Sequence, residues 1–168
     1  MIEFRPLTAE DAGAWWELRL EALEQEPKAF VESADEHRAS AIEATITRVY
    51  SEAGSVLLGV FRDGRLAGMA GFRREQGQKT RHKGVIWGMY LTKDIRDKGT
   101  GRALLSELLK HARQHPGLEM VLLKVSTTQV AARELYRSLG FESFALEKRA
   151  LKVEGEYVDE EHMILRLL

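Results

Sequence analysis

The feature that most limits what this chain can become lies in its middle third. An apolar stretch, Val85 to Leu91, leads into the heptad Arg96-Asp97-Lys98-Gly99-Thr100-Gly101-Arg102, and the apolar series Leu104, Leu105, Leu108, Leu109 and Ala112 follows at once. The first stretch reads as a strand, and the series predicts one face of a helix from Arg102 to His115 that Pro116-Gly117 stops. Glycines at a strand-to-helix junction let backbone N–H groups approach a ligand, and the first helical turn carries unpaired donors and a partial positive charge. A phosphate suits such a place, and Arg96, Lys98 and Arg102 strengthen the preference. The dinucleotide fingerprint would need glycine where Leu104 stands, and the Gly-Lys-Ser/Thr ending of the Walker loop is absent. An ordinary flexible loop with a solvated basic rim is the alternative that the heptad alone leaves open.

The rest of the chain predicts what surrounds this junction. Ile2 to Arg5 reads as a first strand, and Thr8 with Asp11 three residues on caps a helix whose apolar face holds Leu18, Leu20, Ala22 and Leu23. A second helix is predicted from Ser33 to Ser51, through Ala39, Ile42, Ile46 and Val49. Ser55 to Phe61 and Leu66 to Phe72 flank Asp63-Gly64, a hairpin signal, and Arg73 to Lys83 is a polar connection. Gly88 interrupts the next strand, which marks a bulge or a close backbone approach. Met120 to Val125 is a strand, Thr128 to Leu139 a helix closed by Gly140, and two last strands, Phe141 to Val153 and Tyr157 to Leu167, turn at Glu154-Gly155. A strand, two helices, three strands, a helix, a strand, a helix and two strands predict a mixed sheet covered by helices.

Composition narrows the function. With 168 residues, 44% of them apolar, the chain fits one domain with a sizeable core. Its 25 Lys and Arg balance 26 Asp and Glu, so bulk charge does not predict binding to nucleic acid or an anionic membrane. Without cysteine there is no disulfide, no zinc thiolate site and no sulfur nucleophile. The N-terminus lacks a basic-then-apolar leader and no long apolar run occurs, so a cytoplasmic protein is expected. His111 and His115 have the spacing of a helical metal pair, but Ala112 stands beside His111 where a zinc hydrolase needs glutamate, and no metal is expected.

Met89 to Leu105 resembles the coenzyme A signature of the GNAT superfamily: a strand, an acidic-tipped turn, Arg-x-x-Gly-x-Gly and an amphipathic helix. At the expected distance, Gln129-Val130-Ala131-Ala132-Arg133-Glu134-Leu135-Tyr136-Arg137-Ser138-Leu139-Gly140-Phe141 is similar to that family's Asn-x-x-Ala-x-x-Leu-Tyr-x-x-x-Gly-Phe. The resemblance implies an α+β fold, with a mostly antiparallel sheet of about seven strands, about four flanking helices and two parallel strands splayed around an acyl-coenzyme A site. It also implies an acetyl-coenzyme A-dependent N-acetyltransferase, monomeric or homodimeric, that moves the acetyl group directly to a primary amine in a ternary complex. A non-catalytic acyl-coenzyme A-binding module of the same fold is the alternative.

By that resemblance the pantetheine arm pairs with the backbone near Met89 and Leu91, and the pyrophosphate sits on the N–H groups of Arg96, Asp97, Lys98, Gly99, Thr100, Gly101 and Arg102. The Met89 N–H is then the donor to the thioester carbonyl, acting where charge develops in the transition state. Gln129 replaces the family's asparagine with the same amide on a longer stem. Tyr136 reads locally as a core tyrosine of an amphipathic helix; the motif makes it the acid that protonates the departing thiolate. Reference values near 10 and 8.5 make that transfer uphill by about 2 kcal/mol. Many family members place a glutamate base on the strand occupied here by Val85 to Leu91, which has no carboxylate. His82, Glu32, Asp35 or a water chain are the candidates left, each also readable as a plain surface group. Trp87 reads as core or as a wall of the acceptor site. The acceptor stays open among polyamine, amino acid, antibiotic, peptide N-terminus and protein lysine.

Overall fold

A computed structural model describes residues 1–43 and 53–168. Strand β1 (Ile2–Pro6) is followed by a single turn in which Thr8 and Asp11 form the expected reciprocal cap, and helix α1 (Ala12–Gln25) begins there. Helix α2 (Ala34–Ala39) starts at the Ser33–Glu36 capping box, as the sequence predicts, but breaks at Ser40, and Ile42 and Glu43 are helical again. Ser40 turns extended, and both its N–H and its hydroxyl donate to the His37 carbonyl, the local competition with helix that serine offers. Of the longer helix expected to Ser51, Ile46 and Val49 lie outside the described residues.

Strands β2 (Val56–Arg62), β3 (Arg65–Arg74) and β4 (Lys83–Leu91) form a meander. Its first turn sits at Asp63 and Gly64, with φ of 51° and 81°, the doubly positive geometry that Asp-Gly favours. Helix α3 (Thr100–Arg113), strand β5 (Met120–Ser126) and helix α4 (Val130–Ser138) follow, then the hairpin of β6 (Glu142–Val153) and β7 (Glu156–Arg166). The seven strands lie in the order β1-β2-β3-β4-β5-β7-β6. Only β4 and β5 run parallel among the described residues; the other neighbours are antiparallel. No helix of the described residues is long and apolar enough to cross a membrane.

Side chains of β2 and β3 alternate between two apolar layers, which is why these strands read as continuous apolar runs. Leu58, Val60, Ala70 and Phe72 meet Leu104, Leu105, Leu108 and Ala112 of α3, while Leu57, Phe61 and Met69 meet Trp15, Leu18 and Ala22 of α1. His115, past the end of α3, stacks on Phe72 at 5.8 Å, a packing role. Leu108 is fully buried. Leu108→Ala is therefore expected to cost about 2 to 5 kcal/mol in denaturant unfolding, whereas an exposed position on the same helix, Lys110→Ala, should stay within about 0.5 kcal/mol.

Two irregularities position the site. The β4–β5 ladder holds only at Lys83↔Met120, Gly84↔Val121 and Val85↔Leu122, after which the strands separate. On its other edge β4 bulges: Met69 pairs with Tyr90 and Gly71 with Trp87, so Ala70 alone opposes Gly88 and Met89. Gly88 makes this bend with φ of +66°, which a side chain would strain.

Candidate active site

The separated strands open a cleft of about 340 Å³, walled by Met89, Tyr90 and Leu91 of β4 and by Ala131, Ala132, Leu135 and Tyr136 of α4. Its floor is the glycine loop. Asp97 and Gly99 take positive φ, 60° and 76°, so the chain doubles back tightly. Gly99 caps α3, whose first intrahelical bond runs from the Ala103 N–H to the Gly99 carbonyl at 3.0 Å. That leaves the N–H groups of Gly99 to Arg102 without acceptors inside the helix. The helix thus starts two residues before the expected Arg102, with Thr100 buried beneath it and Gly101 within its first turn. A Cβ on Gly99 would meet nothing within 4 Å; one on Gly101 would lie 3.1 Å from Leu135, 3.2 Å from Met89 and 3.5 Å from Leu91. This bare, donor-lined concavity with cationic neighbours fits a pyrophosphate joined to a slender arm.

The three cations of the loop are not equivalent. Arg96 is a clamp: its Nε donates to the Leu91 carbonyl at 2.9 Å, its Nη1 pairs with Glu26 at 3.4 Å, and its guanidinium lies 5.4 Å over Tyr90. Lys98 donates to the Asp94 carbonyl at 3.0 Å, and Arg102 reaches Ser138 at 2.8 Å; both are exposed.

Tyr136 is buried with its hydroxyl donating to the Met89 thioether at 3.4 Å, and its ring meets Phe141 edge-on. Burial pushes its pKa up to about 12. It is held there by α4, which Glu161 of β7 anchors through Arg133 and Arg137, and which closes at Gly140 with φ of +99°. The raised value widens the gap to a reference thiol to roughly 5 kcal/mol, more than the unperturbed values give, although desolvation acts on a thiolate in the same sense.

Past the bulge the cleft continues into a cavity of about 90 Å³ between Phe30, Trp87, Gly88, Lys124, Gln129 and Tyr136. The structure therefore brings together Met89, Leu91, Arg96, Asp97, Gly99, Gly101, Arg102, Gln129 and Tyr136 on the cleft, with Trp87 on the adjoining cavity. It does not bring His82 there: that residue precedes Lys83, at the closed end of the β4–β5 ladder, and its carbonyl accepts from Glu119 and Met120. Glu32 is also diverted. Its Oε2 accepts two bonds from Arg19, its Oε1 lies 3.5 Å from His37, and it lines neither cavity. Asp35, on α2, pairs with Arg38.

The sequence did not signal Glu26, Ala29 and Phe30, which roof the cleft from the α1–α2 connection, or Arg19 behind them. Arg19 is 91% buried, its Cζ lies 4.9 Å over the Phe30 ring, and its Nη1 is shielded from solvent without a partner. Burial lowers the Arg19 pKa and Glu32 opposes that shift.

The fold is a seven-stranded mixed sheet parted at its one parallel pair among the described residues, with a glycine-capped helix at the gap. The model of the acetyltransferase (GNAT) family matches residues 14–141, and the chain belongs to that family. It is 35% identical over 98 residues to the N-alpha-acetyltransferase RimI of Mycobacterium tuberculosis, a match spanning 58% of this chain and 59% of that protein. Its fold is that of a GNAT-family acetyltransferase from Streptococcus pneumoniae (TM-score 0.86, 23% identity, 99% of this chain and 100% of the other). It is likewise that of yncA, a putative acetyltransferase from Salmonella typhimurium solved with acetyl-CoA (TM-score 0.86, 22% identity, 100% and 95% covered). A phosphinothricin acetyltransferase from Sinorhizobium meliloti in complex with AcCoA aligns with a TM-score of 0.84 at 22% identity, over 99% and 88% of the two chains.

Proposed function

We propose that this protein is an N-acetyltransferase that passes the acetyl group of acetyl-coenzyme A directly to a primary amine, with the whole chain acting as one cytoplasmic domain, monomeric or homodimeric. The observation that carries the reading is the continuity of the cleft: glycine-loop donors at one end, the Met89 N–H at the bulge and the Tyr136 hydroxyl in one wall. Acetyl-coenzyme A supplies the thioester. The N–H groups of Gly99 to Arg102 hold its pyrophosphate, and Met89 and Leu91 offer backbone groups to its arm. The Met89 N–H stabilises the oxygen that gains charge as the neutral amine adds; Tyr136 gives its proton to the departing sulfur, and the proton that the nitrogen sheds on becoming an amide passes to solvent, which restores the tyrosine. Gln129 offers an amide to the coenzyme from the start of α4.

The reading is supported by the family membership, and yncA with its bound acetyl-CoA shares the fold. An acetyl-transfer screen over amine classes, followed by thiol release, tests it. Acetyl-coenzyme A bound without transfer to any amine would make the chain a binding module.

The loop cations give a finer test by calorimetric titration. Lys98→Ala should weaken acetyl-coenzyme A binding several-fold at low salt and much less near 1 M, because an exposed charge is screened. Arg96→Ala should weaken it at both, since the clamp on Leu91 and Glu26 shapes the loop whatever the salt. Equal salt dependence for the two variants would contradict this division.

A further inference from the structure

The Arg19 guanidinium is the one strongly charged group beside the bulge whose hydrogen bonds are incomplete among the described residues. Its Nε and Nη2 both donate to a single oxygen of Glu32, at 3.2 and 3.0 Å, while Nη1 has neither a partner nor solvent. A buried donor without an acceptor is destabilising, and its persistence calls for a reason. Nη1 points at Gly88. It lies 3.5 Å from the position a Cβ would take there, and nothing else comes within 4 Å of that position. Nη1 is covered in this arrangement, so an oxygen placed against the bare Cα of Gly88 comes within its reach only when a covering side chain moves aside. Phe30 lies against the guanidinium and also lines the 90 Å³ cavity, as does Gly88, so the donor sits one layer behind the cavity wall.

The cavity itself agrees on the sign of charge. Lys124 is the charged residue in its lining, and no acidic residue joins it among the described residues. A polycationic acceptor finds no counter-charge in this lining; an anionic group finds Lys124 and, behind Phe30, a guanidinium whose charge Glu32 shares but whose Nη1 donor is unused. Distance then sets the spacing within the acceptor. The carbon attacked by the amine belongs beside the Met89 N–H, and consecutive Cα atoms such as those of Gly88 and Met89 are about 3.8 Å apart. A carboxylate held beside Gly88 and an amine at the neighbouring residue therefore suit a short acceptor better than a long one.

We infer that the acceptor is an amino-acid-like molecule, its carboxylate taken by Arg19 Nη1 beside Gly88 while its amine faces the thioester; this rests on the N-acetyltransferase reading above. The test compares kcat/KM for a set of α-amino acids, their α-amides, tripeptides with a free N-terminus, and polyamines, each expressed per neutral amine because the amides deprotonate more readily. In the unmodified protein each acid should exceed its amide by about tenfold to a hundredfold, the worth of a hydrogen bond to a charged partner. In Arg19→Met that preference should vanish, and Arg19→Lys should restore part of it; thermal melting establishes that both variants fold. Equal rates for acid and amide in the unmodified protein, which needs no variant, overturn the inference. So does a preference that survives in Arg19→Met, or transfer confined to tripeptides or polyamines, which would leave the transferase reading intact. Transfer to none of these amines also overturns the inference; the transferase reading falls as well only if a protein that binds acetyl-coenzyme A transfers to no antibiotic amine or protein lysine either.

Discussion

Tyr136→Phe is expected to lower turnover by about a hundredfold to ten-thousandfold, the usual worth of a general acid, while acetyl-coenzyme A binds with nearly unchanged affinity. The variant keeps the ring that packs against Phe141 and removes only the hydroxyl bonded to the Met89 thioether. A thioether is a weak acceptor, so the loss of this bond should shift folding by no more than about 1 kcal/mol. A turnover defect is then separable from a stability defect by measuring both. The pKa near 12 adds a pH signature. Burial raises it by disfavouring the phenolate, so Tyr136 stays protonated at every pH below about 11, and its ionisation should add no alkaline decline to kcat in that range. A decline centred near pH 8 to 9 that disappears in Tyr136→Phe would overturn this, as would a folded variant with full turnover while chemistry limits the rate.

Gly101→Val should weaken acetyl-coenzyme A binding on the order of a hundredfold or more, at an overpacking cost of about 1 to 3 kcal/mol that leaves the protein folded. The position lies in the first turn of α3 at a negative φ that valine accepts, and valine is the better helix former. The Cβ alone would lie 3.1 and 3.2 Å from the tips of Leu135 and Met89, so valine pushes side chains that line the cleft into the space the coenzyme needs; loss of two charge-assisted bonds is enough for the expected effect. Gly99→Ala is the informative contrast. Open space surrounds that position, but its φ of +76° strains any side chain, so the cost of about 1 kcal/mol appears in stability first. Titration and denaturant unfolding of both variants measure the two effects separately. A folded Gly101→Val protein with normal affinity would remove the glycine loop from the site.

The parts of the fold that local chemistry dictates were legible in the sequence. Asp63-Gly64 and Glu154-Gly155 both take positive φ at paired positions, as their hairpins require. The spacing of Leu104, Leu105, Leu108, Leu109 and Ala112 gives the buried face of α3. What long-range packing decides was not legible. Arg19 sits between Leu18 and Leu20 with nothing in the sequence to single it out, yet Glu32, Phe30 and Gly88 close around it. Arg96 reads as a free phosphate ligand, but the Leu91 carbonyl and Glu26 engage it first. The apolar spacing of Ala39 and Ile42 runs through one unbroken helix on paper, and Ser40 interrupts it before Ile42 turns helical again. The glycines at 99 and 101 read as loop although the first of them already caps the helix.

The seam between β4 and β5 also bears on how the chain assembles. On one side β2, β3 and β4 pair through short connections, and on the other β6 and β7 form a hairpin, so both halves can zip up from contacts between near neighbours in the chain. Joining them requires Lys83, Gly84 and Val85 to find Met120, Val121 and Leu122 with all of α3 looped out between, for a short ladder in return. Closing a long loop for few contacts is slow. The parting of the strands that opens the cleft therefore makes the middle of the sheet the last place to knit, and α3, packed across Leu58, Phe72, Ile86 and Val121, is the element that must draw the two halves together.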